Sequence, residues 1–224
     1  MTMTRALIFD FDGVIVDSEK LHLKAMQKAL GEVGIELTDE AYVTRYLGLD
    51  DKKCFKTVGR DQGNLLDEET ISGIVDRKTA LYSEWKDEVP IVAGASEFVR
   101  WAAERYHLAI GSGSFRHEIE YALHRAGIRD QIQVIVSAED IGSSKPAPDC
   151  YLEVLRRLNL VVHEGETKIE GPECVVIEDA LHGITAARAA GMRCVGVTST
   201  LPASELKTAD WVVGAFSEMY DLVS

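Results

Sequence analysis

Two aspartates, Asp10 and Asp12, lie one residue apart, directly after an apolar run at residues 7–9 and before Gly13. A short continuous apolar run is typical of a strand buried on both faces of a parallel sheet, and glycine lets the chain turn away where that strand ends. Carboxylates this close repel each other unless a cation or a proton intervenes. A divalent metal would explain the pair, with one carboxylate attacking an electrophile and the other handling a proton.

The same residues are also consistent with a simple strand end and turn, because Asp and Gly are frequent in turns. A calcium loop of the EF-hand type is excluded by spacing. Counted from Asp10, the positions that require Gly and Glu hold Ile15 and Leu21. The case for chemistry therefore depends on polar groups elsewhere in the chain.

One such group is Ser112, which follows the apolar run 108–110 in a Gly-Ser-Gly-Ser turn. Its hydroxyl, with the groups around Gly113 and Ser114, can hold phosphate oxygens where a helix starts just afterwards. The turn lacks the third glycine of a Rossmann fingerprint and does not match the G-x-S-x-G elbow of hydrolases. Taken alone, the Gly-Ser-Gly-Ser segment is also consistent with an ordinary turn.

Three more charged residues complete the candidate site. Lys145 lies in the loop Ser-Ser-Lys-Pro-Ala-Pro-Asp, which its prolines stiffen, although a lone exposed lysine is usually just solvated. Glu178 and Asp179 end the apolar run 174–177, where charge must be solvated, paired or metal-bound. With the first two aspartates they supply the hard oxygen ligands that Mg²⁺ prefers, and the lysine offsets their negative charge.

The elements that must position these groups follow from the hydrophobic pattern. From about residue 92 onward, apolar runs alternate with helical spacing, which predicts an α/β fold with a doubly wound parallel sheet, a Rossmann-like core. Residues 16–89 show helical spacing only. We therefore predict a discontinuous core of residues 1–15 and 90–224 with an inserted all-helical cap at 16–89, suited to act as a lid. We interpret segment 159–172 as an extended surface loop.

Composition excludes several classes of function. The chain has 224 residues and a net charge of −13, which argues against a nucleic-acid partner because such proteins need a basic surface. No run approaches membrane-spanning length and no signal-peptide pattern opens the chain, so we expect a cytoplasmic enzyme with no membrane partner. We expect a monomer, with a dimer as the alternative. The widely spaced cysteines lack a C-x-x-C pair and are predicted to be reduced core residues: Cys54, Cys150, Cys174 and Cys194.

Together these motifs resemble the haloacid dehalogenase superfamily, in the subgroup with a small helical cap inserted after the first strand. This subgroup includes β-phosphoglucomutase-like proteins and sugar-phosphate phosphatases. The resemblance covers almost the whole chain. It rests on Asp10-Phe-Asp-Gly-Val with Asp17-Ser-Glu, on Ser112, on Lys145-Pro-Ala-Pro-Asp, and on Val176-Ile-Glu-Asp-Ala with Gly183, residues 186–187 and Ala190-Gly-Met.

The resemblance implies a catalytic role for four positions. Asp10 would be the nucleophile that forms an aspartyl-phosphate, and Asp12 would protonate the leaving alcohol and then activate water. Ser112 and Lys145 would hold the transferring phosphoryl group, and Lys145 would also orient the nucleophile. These roles agree with the physics of phosphoryl transfer, which is mostly positioning plus neutralisation of charge.

The resemblance also implies a Mg²⁺ site. Asp10 and Asp179 would be ligands, Asp12 would contribute its backbone carbonyl, and Glu178 would contact the metal or one of its waters. The cofactor expected from the sequence is therefore Mg²⁺, and the expected partner is a small phosphorylated metabolite.

Departures from the family pattern bear on the reaction. Dehalogenases and phosphonatases of this family lack the second aspartate, so the presence of Asp12 disfavours both. Mutases carry a cap arginine that grips the non-reacting phosphate, and a Lys-Asn pair after the phosphate loop. Here Asp51 and Phe115-Arg116 stand at those positions. We therefore expect hydrolysis of small phosphate monoesters, such as sugar phosphates.

Two alternatives to the phosphatase are retained. In a phosphomutase of the β-phosphoglucomutase type, Arg116 would bind substrate and partly replace the lost cation. His22 matches a cap histidine that lies near the active site of the mutases, and it is equally consistent with an exposed helix residue. A non-catalytic binding or regulatory protein on the same fold is disfavoured because the set of catalytic residues is intact.

Overall fold

The computed structural model describes residues 3–47, 49, 51–85, 87, 89–162 and 167–223. The chain divides into two compact units, one formed by Met1–Asp17 with Pro90–Ser224 and the other by Ser18–Val89. The sequence-based boundary after residue 15 falls slightly earlier than the division in the structure. Val16 belongs to the first unit because it forms an antiparallel bridge with Ile91, and the N–H of Asp17 donates to the carbonyl of Pro90.

The core unit is built on one parallel sheet. Its strands are β1 Ala6–Phe9, β2 His107–Gly111, β3 Val134–Val136, β4 Cys174–Glu178, β5 Arg193–Val197 and β6 Trp211–Val213. Their order across the sheet is β3-β2-β1-β4-β5-β6, and every described pairing is parallel. This arrangement confirms the predicted doubly wound sheet.

Helices separate most of the strands in the core and are the regular structure of the cap within its described residues. In chain order they are α1 Glu19–Gly31, α2 Asp39–Ala41, α3 Asp51–Asp61 and α4 Glu68–Trp85 in the cap unit, then α5 Ala95–Ala103, α6 Arg116–Ala126, α7 Asp149–Val161, α8 Leu181–Ala189 and α9 Tyr220–Val223 in the core unit. Within its described residues the cap unit contains no strand. In the part of the chain that the structure covers, no helix is both long enough and apolar enough to cross a bilayer.

Side chains from the two faces of the sheet pack against different helices. Ile8 and Val176 point to the face that α7 and α8 cover, and they share one buried cluster with Tyr151 and Ile184. Phe9 points to the opposite face, where its ring meets the edge of Phe98 from α5 at 6.2 Å between centroids. This alternation is the period of two that a strand imposes, and it explains why β1 reads as a continuous apolar run.

The cap unit has its own core. Its helices bury apolar side chains around Phe55, Leu30 and Ile74. It also buries the charged side chain of Lys78, which lies 2.9 Å from the Asp51 carboxylate at the start of α3. A buried ammonium requires such a partner because removing an unpaired charge from water is costly.

Segment 159–172 differs from the predicted surface loop. Asn159 is still part of α7, and its side-chain amide pairs with both backbone groups of Ile169, at 2.9 Å to the carbonyl and 2.7 Å from the N–H. The Ile169 side chain is buried in the core. Residues 163–166, which the same prediction covers, lie outside the described residues. Periodicity missed this contact because one asparagine makes it, not a strand.

All four cysteines are free and buried, as predicted. Burial raises the pKa of Cys150 to about 11 and that of Cys174 to about 12. These thiols therefore stay protonated near neutral pH and serve as small core side chains.

Candidate active site

The predicted catalytic groups lie at the carboxyl ends of three adjacent strands. Asp10 directly follows β1, Ser112 directly follows β2, and Glu178 is the last residue of β4. Backbone hydrogen bonds to the neighbouring strands hold two of these residues in place. The N–H of Asp10 donates to Ile177 O at 2.9 Å, and the N–H of Ser112 donates to Val136 O at 3.0 Å. Because β1 lies between β2 and β4, residues distant in sequence reach one edge of the sheet.

A cluster of carboxylates occupies this edge. One oxygen each from Asp10, Glu178 and Asp179 lies within 4.8 Å of the others, and all three side chains are buried. The Asp12 carboxylate is not a member of this group, and its backbone carbonyl as a metal ligand remains a prediction. Three buried acids cannot all ionise without compensating positive charge.

Lys145 supplies part of that charge. Its ammonium donates to Asp10 Oδ1 at 2.8 Å and to Glu178 Oε1 at 2.6 Å. Burial alone would lower the pKa of Lys145, but the two carboxylates outweigh burial and raise it above its ordinary value. The side chain is therefore an ammonium near neutral pH.

Full ionisation of this cluster is unfavourable without a further cation. Burial, followed by the charge of Glu178, raises the pKa of Asp10 to about 7, although Lys145 opposes the shift. The same two causes raise the pKa of Asp179 well above its usual range. Carboxylate oxygens are the donors that Mg²⁺ prefers, and two opposite ligands of an octahedral Mg²⁺ lie roughly 4.2 Å apart. The spacing and chemistry of the cluster therefore fit a hard divalent cation.

Glu178 is held by four hydrogen-bond donors. Its Oε2 accepts from the N–H groups of Asp179 and Ala180, both at 3.1 Å. Its Oε1 accepts from Lys145 and from the hydroxyl of Tyr151, the latter at 2.8 Å. Sequence reasoning missed Tyr151, because a tyrosine on the helix after the lysine motif looks like any other core aromatic.

Two glycines leave room for the carboxylates. A Cβ on Gly183 would lie 1.6 Å from Glu178 Oε1, and a Cβ on Gly13 would lie 1.8 Å from Asp179 Oδ2. Gly13 also has a positive φ of 71°, which favours glycine. The chain can therefore wrap closely around both acids only because these positions lack side chains.

The turn after β5 contributes two further residues that sequence reasoning missed. The Ser199 hydroxyl donates to the Gly13 carbonyl, and the Thr200 hydroxyl hydrogen-bonds the Asp179 carboxylate. The run Thr-Ser-Thr gives no sequence signal beyond that of a turn. These contacts tie the loop after β1 to the loops after β4 and β5.

Asp12 lies beside the predicted phosphate-binding turn. The Ser114 hydroxyl donates to Asp12 Oδ2, and the Ser114 N–H donates to Ser112 Oγ at 3.0 Å. Ser112 is buried whereas Gly113 is exposed. The structure thus brings together Asp12, Ser112 and Ser114, as the sequence-based assignment requires.

Arg116 has contacts that do not favour its assignment to substrate binding. Its guanidinium donates to Asp140 Oδ2 at 2.7 Å and to the Ile135 carbonyl at 2.9 Å. Arg157 donates to the same carboxylate and the same carbonyl. Arg116 therefore contacts the backbone of the edge strand β3, where it shares the Asp140 carboxylate with Arg157.

The structure places His22 within the cap, where its ring stacks on that of Tyr82 at 4.3 Å between centroids. Its sequence-based assignment to substrate binding remains a prediction.

The chain is similar to proteins of known family, sequence and structure. Residues 7–197 match the family described as haloacid dehalogenase-like hydrolase. The fructose-1-phosphate phosphatase YqaB of Escherichia coli (strain K12) is 31% identical over 191 residues, which cover 85% of this chain and 95% of that protein. The Arabidopsis thaliana protein SUPPRESSOR OF QUENCHING 1, chloroplastic, is 32% identical over 214 residues, which cover 91% of this chain but only 19% of the longer protein. Among solved structures, the β-phosphoglucomutase of Clostridium difficile superposes with a TM-score of 0.78 at 25% identity, covering 99% of this chain and 96% of that one.

Proposed function

The chain belongs to the haloacid dehalogenase-like hydrolase family, and we propose that it is a Mg²⁺-dependent phosphatase acting on small phosphate monoesters of sugars or related metabolites. One observation carries the proposal. Lys145 bridges Asp10 and Glu178 within a cluster of buried carboxylates at the carboxyl ends of the strands. Such a cluster lowers the stability of the protein, a cost that is typical of functional sites. Its charges suit a phosphoryl group and a divalent cation.

In the proposed reaction Asp10 attacks phosphorus and the bond from phosphorus to the alcohol oxygen breaks. Asp12 gives its proton to that oxygen as the alcohol leaves. Asp12 then takes a proton from water, the water oxygen attacks phosphorus, and the Asp10 carboxylate is released with inorganic phosphate. The contact between Ser114 and Asp12 supports this assignment, because it holds the acid beside the phosphate-binding turn.

The residues that would hold Mg²⁺ are Asp10 and Asp179 through their carboxylates and Asp12 through its backbone carbonyl, and Glu178 would contact the ion or one of its waters. The ion would supply neutralisation of the negative charge that develops on phosphoryl oxygens. Ser112 would hydrogen-bond the same phosphoryl oxygens.

Lys145 contributes in two ways. Its contact with Asp10 Oδ1 orients the nucleophile, and its ammonium lies where a phosphoryl oxygen would approach that carboxylate. Because the charged Lys145 side chain is only 15% exposed, its attraction for the developing negative charge is stronger than it would be in water.

Hydrolysis is favoured over mutase activity by electrostatics. A mutase must hold a second phosphate, but the acid Asp51 stands where the mutases have their cap arginine, and Phe115 stands where they have a lysine. Asp51 is paired with Lys78 in the cap, and Arg116 is paired with Asp140 in the core. The likeness to a β-phosphoglucomutase structure keeps mutase activity as the second candidate.

The test is a screen of the purified full chain with Mg²⁺ against phosphorylated metabolites, including fructose 1-phosphate and both anomers of glucose 1-phosphate. We expect release of inorganic phosphate that EDTA abolishes and Mg²⁺ restores, and no release by the Asp10→Asn variant. With β-glucose 1-phosphate and a trace of glucose 1,6-bisphosphate, phosphorus NMR should show inorganic phosphate forming faster than glucose 6-phosphate. The reverse order would establish the mutase, and full activity without metal would contradict the metal assignment.

A further inference from the structure

We propose that Tyr151 is a positioning residue of this site. Its hydroxyl orients the Glu178 carboxylate, and the face of its ring attracts and positions the Lys145 ammonium. Through these two groups Tyr151 sets both the affinity for Mg²⁺ and the turnover number. The inference rests on the proposed function, and it concerns a residue that contacts neither the substrate nor, by its own atoms, the metal.

The geometry consists of two separate contacts from one buried side chain. Tyr151 lies in the first turn of α7 and is fully buried. Its hydroxyl donates to Glu178 Oε1 at 2.8 Å. The Lys145 ammonium lies over the face of its ring, 4.8 Å from the ring centroid. The ring edge packs closely against Gly111 of β2, where a Cβ would lie 3.2 Å from the Tyr151 Cε1 atom.

The Tyr151 hydroxyl affects the nucleophile because the Lys145 ammonium is shared between two carboxylates. Lys145 donates to Asp10 and to Glu178, and Glu178 Oε1 shares its electron density between Lys145 and Tyr151. Without the hydroxyl, Oε1 would be a stronger acceptor for Lys145 alone. The ammonium would then be drawn toward Glu178 and away from the nucleophile.

The hydroxyl also fixes the direction of the Glu178 carboxylate. Together, the four donors around Glu178 hold its carboxylate in one orientation. Two of those donors are backbone groups and one is Lys145, so Tyr151 is the member of the four that a substitution can remove without changing the charge of the site. Partners that orient a metal ligand typically change metal affinity or activity about 10- to 100-fold when they are removed.

The ring contributes a separate effect. A cation over the face of an aromatic ring is attracted more strongly when both are removed from water. Here the ring lies beneath an ammonium whose side chain is only 15% exposed. Replacing Tyr151 with phenylalanine therefore keeps the ring beneath the ammonium and removes the hydroxyl, whereas replacing it with leucine removes both the ring and the hydroxyl.

A purely structural tyrosine would behave differently. Buried tyrosines need a hydrogen-bond partner, and losing that partner would lower stability without a selective effect on metal binding. The matched control is Tyr106, a core-unit tyrosine whose hydroxyl donates to the Val223 carbonyl at 2.9 Å. The variants Tyr151→Phe, Tyr151→Leu and Tyr106→Phe isolate the hydroxyl, the hydroxyl plus the ring, and a hydroxyl outside the site.

The experiment measures the Mg²⁺ dissociation constant of each full-length variant by calorimetry without substrate, and then kcat and KM, at a temperature where circular dichroism shows every variant folded. For Tyr151→Phe we expect Mg²⁺ affinity and kcat to fall about tenfold or more, with KM changed less than about twofold because no leaving-group contact is lost. Tyr151→Leu should lose more than Tyr151→Phe, and Tyr106→Phe should match the wild type.

The proposal is overturned if Tyr151→Phe keeps the wild-type Mg²⁺ affinity and kcat, or if both fall only in proportion to the folded fraction. A wild type that binds Mg²⁺ but hydrolyses no phosphate ester would instead contradict the proposed function, and the calorimetric comparison would still decide the role of Tyr151 at the metal site.

Discussion

We expect Asp10→Asn to make the metal-free protein more stable while it abolishes turnover. The substituted asparagine retains an oxygen that can accept a hydrogen bond from Lys145, but it removes one negative charge from the cluster formed with Glu178 and Asp179. In the absence of metal, that cluster carries more charge than one ammonium can neutralise. Substitution of the nucleophile should therefore relieve repulsion that the wild type tolerates for its function.

The magnitude follows from the pKa of Asp10. Burial and the charge of Glu178 raise this pKa from 3.8 to about 7, and each unit corresponds to about 1.4 kcal/mol. Ionising Asp10 in the folded protein thus costs up to about 4 kcal/mol relative to the unfolded chain. Because asparagine is never ionised, we expect the free energy of unfolding of the variant to exceed that of the wild type by about 2–4 kcal/mol near pH 8.

The sign of the pH dependence is fixed by the direction of the shift. A raised pKa means that the folded state binds a proton more tightly than the unfolded state. The contribution of protonated Asp10 to stability is therefore complete below pH 3.8 and is lost as the pH rises through about 7. The advantage of Asp10→Asn should be largest above pH 7 and should shrink steadily toward pH 4.

Urea unfolding in EDTA at a series of pH values measures this difference. The control is Asp130→Asn, which makes the same substitution at an exposed position of the core unit and should change the free energy of unfolding by less than about 0.5 kcal/mol. Added Mg²⁺ should stabilise the wild type and narrow the gap. A less stable variant at high pH, or a difference that does not depend on pH, would refute the electrostatic account of the site.

Two further predictions test the surroundings of the site. Gly183→Ala should lower the free energy of unfolding by about 2–4 kcal/mol and remove most of the turnover, because its Cβ would lie 1.6 Å from the Glu178 carboxylate. In the control Gly31→Ala, the Cβ meets no described atom within 4 Å, and stability should change by less than about 1 kcal/mol. Equal effects of the two variants in urea unfolding would argue against the clash. Asp140→Asn should cost about 1–3 kcal/mol because it removes the carboxylate that Arg116 and Arg157 share, and kcat and KM of the folded enzyme should be unchanged. A rise in KM would instead indicate that Arg116 contacts the substrate.

The sequence predicts the fold and the strand-end residues of the site because both follow from local signals. The run at residues 7–9 could be identified as a buried strand, and the carboxyl ends of parallel strands share an edge. Asp10, Ser112 and Glu178 could therefore be expected together before any coordinates were known. The segment 159–172 was predicted less well, because the side chain of Asn159, not a periodic pattern, holds Ile169 in place.

Contacts made by single side chains could not be predicted in the same way. The hydroxyl of Tyr151 reaches Glu178 only because α7 packs on β2 and β3 in one register, and no spacing rule encodes that register. Arg116 looked like a cation for substrate because it follows the phosphate-binding turn. Its partner Asp140 lies in the 3₁₀ turn after β3, and only the folded chain brings the two together.

The central claim is that Asp10 becomes phosphorylated during turnover, and the Asp12→Asn variant tests it most directly. This variant keeps the nucleophile but lacks the base that activates water, so the phosphoenzyme should form from acetyl phosphate with Mg²⁺ and persist. Borohydride reduction converts an aspartyl-phosphate into homoserine, which peptide mass spectrometry can locate. The account predicts homoserine in place of Asp10 and none in the Asp10→Asn, Asp12→Asn double variant. Homoserine at another position, or none at all from a protein whose wild type hydrolyses phosphate esters, would contradict it.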